Sequence, residues 1–152
     1  MTSIEISDDR ARMDVAVIHA FLSQESYWAK NVPREVVERA LAHSLCVGAF
    51  DDGAQVGFAR AITDYATFAY IADVFVLPSH RGRGISKAIM DALVNHRELR
   101  GLRRWHLVTR DAHALYAQFG FTAVDVPERH MMKLDPLSPL AGRGIVGEPT
   151  ER

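Results

Sequence analysis

The chain has 152 residues, a formal net charge of −1 and a single cysteine, Cys46. A near-neutral balance excludes a global field that recruits nucleic acid or an anionic membrane, and one thiol excludes an internal disulfide. The length suits one compact domain with its own core, and no stretch approaches the roughly 20 apolar residues of a membrane span. With no apolar leader-like segment near its start, a cytoplasmic location is expected.

In chain order, Ile4-Glu5-Ile6 reads as a short strand, after which Ser7 or Asp8 can cap a helix over 8–23 whose Val15, Ile18, Phe21 and Leu22 recur at helical spacing. The polar, aromatic stretch Glu25-Ser26-Tyr27-Trp28-Ala29-Lys30-Asn31 breaks that period, and Pro33 suits the first turn of a second helix ending near Ala42. Strands over 44–50 and 54–63 flank Asp51-Asp52-Gly53, a hairpin signal, and Cys46 falls inside the first of them as a buried, inert thiol. A turn at Asp64-Tyr65-Ala66-Thr67 leads to a nearly uninterrupted apolar run over 68–77, the sort of strand expected at the centre of a sheet. A helix then carries Ile85, Ala88, Ile89, Ala92, Leu93 and His96 on one stripe. A strand over 105–109, a short helix over 112–119 stopped by Gly120, and a last strand over 130–134 complete the series. One domain over 1–134 and a Pro/Gly-rich tail over 135–152 are expected. The class is mixed α/β, with the strand at 68–77, its helix and the strand at 105 forming a parallel βαβ unit in an otherwise antiparallel arrangement.

The junction between that apolar strand and its helix, His80-Arg81-Gly82-Arg83-Gly84-Ile85-Ser86, has the character of a phosphate cradle. Its glycines allow a tight turn, and the free N–H groups of the following first helical turn point at an anion above them. The tetrapeptide Gly82-Arg83-Gly84-Ile85 recurs as Gly142-Arg143-Gly144-Ile145 in the tail, with no strand before it and no helix after it, so the strand-turn-helix context carries the inference. A dinucleotide fold lacks its Gly-x-Gly-x-x-Gly here, and a P-loop its Gly-Lys-Ser/Thr.

Val74-Phe75-Val76 followed by Arg81-Gly82-Arg83-Gly84-Ile85-Ser86 resembles the acetyl-CoA signature of the GNAT superfamily of N-acetyltransferases, and Leu115-Tyr116-Ala117-Gln118-Phe119-Gly120-Phe121 resembles that family's second motif. The resemblance implies a GNAT-like three-layer fold: a mostly antiparallel central sheet with one parallel βαβ unit splayed at the acetyl-CoA site. It implies acetyl-CoA as cosubstrate, bound by Val74, Phe75, Val76 and the turn from Arg81 to Ser86, with Thr109 and His113 nearby. Ser86 stands where the family has Gly or Ala, and Thr109 where it often has Asn.

The same resemblance places Tyr116 as the general acid that protonates the CoA sulfur, and Val76 N–H as a donor to the thioester carbonyl. A tyrosine packed beneath the sheet is the structural alternative. Where many relatives carry a Glu-Asp pair, this chain has Ala72-Asp73, which leaves Asp73 as a carboxylate in an apolar strand, there either to receive the substrate amine or act as the catalytic base, or else to make a structural hydrogen bond. Tyr27, Trp28, Tyr65 and Phe68 are the expected walls of the acceptor side, Trp28 either by a cation–π contact or as a plug between the first two helices. His80 more often contacts phosphate than serves as a base. The histidines lack metal-ligand spacing, so no metal is implied.

The expected activity is direct transfer of an acetyl group to the primary amine of a small molecule or peptide. Neither nucleic acid nor a membrane is an expected partner, and the family's pairing through its later strands leaves a homodimer open. The alternative from another class is a non-catalytic acyl-CoA-binding or interaction domain.

Overall fold

The computed structural model describes residues 3–141. The second Gly-Arg-Gly-Ile, at 142–145, lies outside the described residues. Five strands form one sheet in the order β1-β2-β3-β4-β5: β1 (Ile4–Ser7), β2 (Leu45–Asp51), β3 (Ala54–Thr63), β4 (Phe68–Val76) and β5 (Arg104–His106). Neighbours are antiparallel except β4 and β5, which are parallel. β3, not β4, holds the middle of the sheet. The apolar run of β4 reflects cover from helices on both faces, a condition that a strand next to the edge can also satisfy.

Four helices complete the layers: α1 (Val15–Gln24), α2 (Arg34–Ala42), α3 (Ile85–Val94) and α4 (His113–Ala117). On one face α3 buries Ile85, Ile89, Met90 and Leu93 against β2, β3 and β4. Gly57 permits that approach, since a Cβ there would lie 2.9 Å from Ile89 Cδ1. On the other face Ile18, Phe21 and Leu22 of α1 and Val37 and Leu41 of α2 pack on Cys46, Phe58 and Phe75. The Phe21 and Phe75 rings stack with centroids 4.1 Å apart.

The expected helix over 8–23 is divided. Asp9 caps a short 3-10 turn, Arg10–Arg12, and Asp14 caps α1 by accepting from Val17 N–H at 3.2 Å. The buried Gln55 fixes that start by accepting from Asp14 N–H at 2.7 Å. A capping carboxylate inside the run wins over helical continuity because it satisfies end N–H groups that Ser7 and Asp8 are too early to reach. α3 ends at Val94, so His96 lies beyond it and pairs with Asp8 at 2.8 Å.

The strand expected over 130–134 is absent: those residues have no ladder partner among the described residues. A groove of about 980 Å3, lined by Trp105, Phe121 and Val126 among others, lies between β5 and this part of the chain, which meets the strand through the stacked rings of His130 and His106 and not through a backbone ladder. Met131 is 97% exposed. A short apolar-rich segment makes a strand only where a ladder partner is within reach.

Candidate active site

Pairing between β4 and β5 covers only Phe68 with Arg104, Ala69 with Trp105, and Tyr70 with His106. Beyond Tyr70, β4 runs on to Val76 without its parallel neighbour, and the stretch expected to be strand at 107–109 lines the gap instead. A β-bulge bends β4 just there. The register passes from Phe75 opposite Phe58 to Ala72 opposite Arg60, so that Asp73 and Val74 face the single residue Ala59. Asp73 takes φ +58° at the bulge, a left-handed conformation that Asp tolerates better than most residues.

The open edge presents backbone with no neighbouring strand among the described residues. Leu77 N–H donates to Val56 O at 2.8 Å, and because antiparallel residues alternate, Val76 directs its own N–H and C=O toward the gap. Arg81 Nε donates to that Val76 carbonyl at 3.1 Å. The turn that follows has Gly82 at φ +78° and Gly84 at φ +76°, with open space around the Cβ position of both, so backbone angle rather than crowding calls for glycine. α3 then begins with no side chain capping it, and its first intrahelical bond from this end is Ala88 N–H to Gly84 O at 3.1 Å. The N–H groups of Ile85, Ser86 and Lys87 therefore head a ten-residue helix with its positive dipole end toward the cleft.

A cleft of about 500 Å3 joins these parts, lined by Val74, Phe75 and Val76 on one side and by Arg81, Gly82, Gly84, Ile85 and Ser86 on the other. Arg83 is exposed and does not line it, and His113 is exposed on α4 away from every described cavity. Thr109 borders the gap, and its Oγ1 accepts from Ala112 N–H at 3.0 Å at the entry to α4. His80 lines the cleft with both ring nitrogens engaged, Nε2 with Asp51 at 2.7 Å and Nδ1 with Ser79 at 2.7 Å.

Tyr116 sits where the cleft meets the gap. It is 9% exposed, and among the described residues its hydroxyl has no hydrogen-bond partner. Burial, with smaller contributions from Tyr27 and Asp111, pushes its pKa up to about 12. Facing it, Tyr27 accepts from Arg110 N–H at 3.3 Å and lies under the Arg110 guanidinium at 3.8 Å, which ties the loop between α1 and α2 to the loop before α4.

A small cavity of about 140 Å3 passes through the gap. It shares Tyr27, Val74 and Tyr116 with the cleft, and Tyr70, Ala72 and Asp73 with a pocket of about 730 Å3 on the far side. Trp28 borders all three. Asp73 is held from two directions: Trp28 Nε1–H donates to Oδ1 at 2.8 Å, and Arg60 Nε to Oδ2 at 2.6 Å. Arg60 also donates to Ser44 Oγ at 3.1 Å. Arg60 escaped the sequence reading because its one signal, a charge inside the apolar β3, acquires meaning only when register sets it opposite Ala72. Tyr65, 46% exposed at φ +62° in the turn before β4, and Phe68, stacked on His106 at 6.4 Å, line none of these cavities.

No helix among the described residues is long and apolar enough to cross a membrane, and no group of three His, Cys, Asp or Glu among them is placed to hold a metal.

Comparison with known proteins agrees with this architecture. The model of the Acetyltransferase (GNAT) family matches residues 6–121. A candidate acetyltransferase of Gibberella zeae is 32% identical over 135 residues, covering 74% of this chain and 75% of the relative. The crystal structure of a candidate GNAT-family acetyltransferase from Xanthomonas campestris pv. campestris is 54% identical, covers 90% of this chain and 96% of its own, and superposes with a TM-score of 0.86. A candidate acetyltransferase from Clostridium acetobutylicum, crystallised with acetyl-CoA, shares the fold at 18% identity and a TM-score of 0.65, covering 90% of this chain and 97% of its own. Fold and relatives together define an acyltransferase. The chain belongs to the GNAT family of acetyltransferases, whose members use acetyl-CoA.

Proposed function

We propose that this enzyme moves the acetyl group of acetyl-CoA directly to a primary amine while both are bound. The observation that carries the reading is the passage through the gap between β4 and β5, which connects the glycine turn on one side to Asp73 on the other, with Tyr116 beside it. The pyrophosphate of the cosubstrate would rest on the N–H groups from Gly82 to Ser86, and its pantetheine arm would pair with the free edge at Val74 and Val76 as an added strand.

The chemistry then follows from what each group can give. An N–H from Val76 polarises the thioester carbonyl and strengthens its bond as negative charge develops on oxygen. The amine attacks that carbon, the C–S bond breaks, and the departing thiolate takes a proton. Tyr116 is the donor for that proton, since a hydroxyl raised to about 12 stays protonated throughout the working range. Asp73 keeps acceptor capacity beyond the two bonds it already receives, so it can hold the incoming nitrogen, whose proton leaves through cavity water. Positioning by Asp73 thus replaces the missing glutamate at Ala72.

Thiol release from acetyl-CoA by the purified chain, followed with a panel of amines, tests the reading. Release that requires both an amine and Tyr116 supports it. Acetyl-CoA binding without release for any amine would favour a domain that binds acyl-CoA and catalyses nothing.

A further inference from the structure

We infer that the acceptor of this enzyme is an amine with a bulky apolar body and a single positive charge, held in the pocket between α2 and β4, and that polycations are excluded. The inference rests on the acetyl-transfer reading for the reaction, but its evidence is the pocket itself. At about 730 Å3 the pocket is large enough for a ligand of drug-like size, and it opens through the gap toward Tyr116. Its walls are Val36 and Ala40 of α2, Val32, Val108, Met132 and Leu140.

The charged groups facing it are few. Among the described residues Asp73 is its one carboxylate, and Arg60 and Trp28 already bond that carboxylate at 2.6 and 2.8 Å. Arg60 supplies a positive charge on the same floor, and its Nη2 has no partner among the described residues. His106 and His130 stack with centroids 6.1 Å apart at one side, and burial together with His130 and Arg104 holds His106 below the usual histidine range. Tyr70, the remaining titratable group there among the described residues, is raised by burial and by Asp73 and so stays neutral. One ammonium can meet Asp73. A second would find apolar wall or Arg60, an uncompensated desolvation that burial of apolar surface does not offset.

Equilibrium binding of 2-phenylethylamine and of spermidine to the full chain saturated with CoA tests the pocket, and thiol release from acetyl-CoA with the same amines tests the transfer reading separately. Phenylethylamine should bind at least about tenfold more tightly than spermidine, the scale on which apolar pockets discriminate. Val36→Glu should weaken phenylethylamine about tenfold or more, and Ala40→Asp, on the next turn of α2, provides the same test should the first variant fail to fold. Spermidine binding as well as or better than phenylethylamine, or neither amine binding to CoA-loaded protein, would overturn the inference. Apolar binding without thiol release would uphold the pocket and sink the transfer reading.

Discussion

The indole N–H of Trp28 donates to Asp73 Oδ1 at 2.8 Å, which makes the aromatic loop between α1 and α2 and the bulge of β4 a single unit. That bond gives each partner a structural role at the gap. Trp28 borders the apolar cluster of the first two helices and also directs its polar edge into the passage, while Asp73 accepts two structural hydrogen bonds and lines the same passage.

Asp73→Asn keeps an oxygen for Trp28 and removes the countercharge of Arg60. The two side chains are 15% and 11% exposed, so the pair lies near the buried regime but borders a solvent-reaching pocket. The expected loss is about 2–3 kcal/mol, below the roughly 3–5 kcal/mol of a fully enclosed pair that loses one partner. Asp73→Ala should cost about 1–2 kcal/mol more, because alanine lacks the local hydrogen bonding that eases φ +58°. In kinetics, Asp73→Asn should raise KM for the amine about tenfold while moving kcat less, as expected for a positioning acceptor. Denaturant melts and amine saturation curves check both; a kcat collapse with unchanged KM would instead make Asp73 the base.

Tyr116→Phe should lower kcat by about a hundredfold or more with little change in acetyl-CoA affinity, because the ring and its packing remain while the proton donor is lost. The same variant has a titration signature. The folded pKa of about 12 lies above the ordinary tyrosine value of about 10, so the stability linked to this hydroxyl is fully present below pH 10 and is lost as pH rises toward 12. Tyrosinate absorbance should therefore lose its highest-pH transition in the variant, and the alkaline fall in stability between those values should become shallower.

Much of this site was legible because its signals are local. The hairpin at Asp51-Asp52-Gly53, the bounds of β3 and the glycine turn before α3 each follow from a few adjacent residues whose angles or periodicity admit one solution. What depended on distant partners was not legible. Arg60 and Trp28 converge on Asp73 from segments 13 and 45 residues away, the bulge requires the register of two strands, and 130–134 carries a strand pattern with no strand beside it. The split of the first helix belongs with the latter: Ser7 and Asp8 are the expected caps, and Gln55, which accepts from the Asp14 N–H that starts α1, lies 41 residues on.

Gly84→Ala isolates the backbone requirement of the turn. The added methyl meets nothing within 4 Å, so the whole cost is conformational, about 1–2 kcal/mol for holding a left-handed angle without glycine. Part of that strain is relieved by distorting the turn, which misaims the N–H groups of α3. KM for acetyl-CoA should rise several-fold while the amine KM stays near its original value, and calorimetry with CoA alone should show the same weakening. An unchanged CoA affinity would mean that the pyrophosphate rests elsewhere.

Cys46 bears on whether the acetyl group visits the protein on its way to the amine. Its side chain is 4% exposed within β2, with Sγ 3.8 Å from the carbonyl oxygens of Leu41 and Ser44, and burial raises its pKa above the ordinary thiol value. A thiol so placed is not ionised at neutral pH, and although it borders a surface pocket with Arg10 and Leu41, its burial makes it a poor acyl carrier. It lies, moreover, on the α1/α2 side of the sheet and lines none of the three cavities that meet at the gap between β4 and β5. The native chain should therefore give no thiol reaction with a disulfide reagent over the time of an assay and one equivalent after denaturation. Cys46→Ala should retain full turnover at a cost of about 1 kcal/mol or less in stability. Double-reciprocal plots at several amine concentrations should intersect, as a ternary complex requires, whereas parallel lines abolished by Cys46→Ala would place the acetyl group on this sulfur.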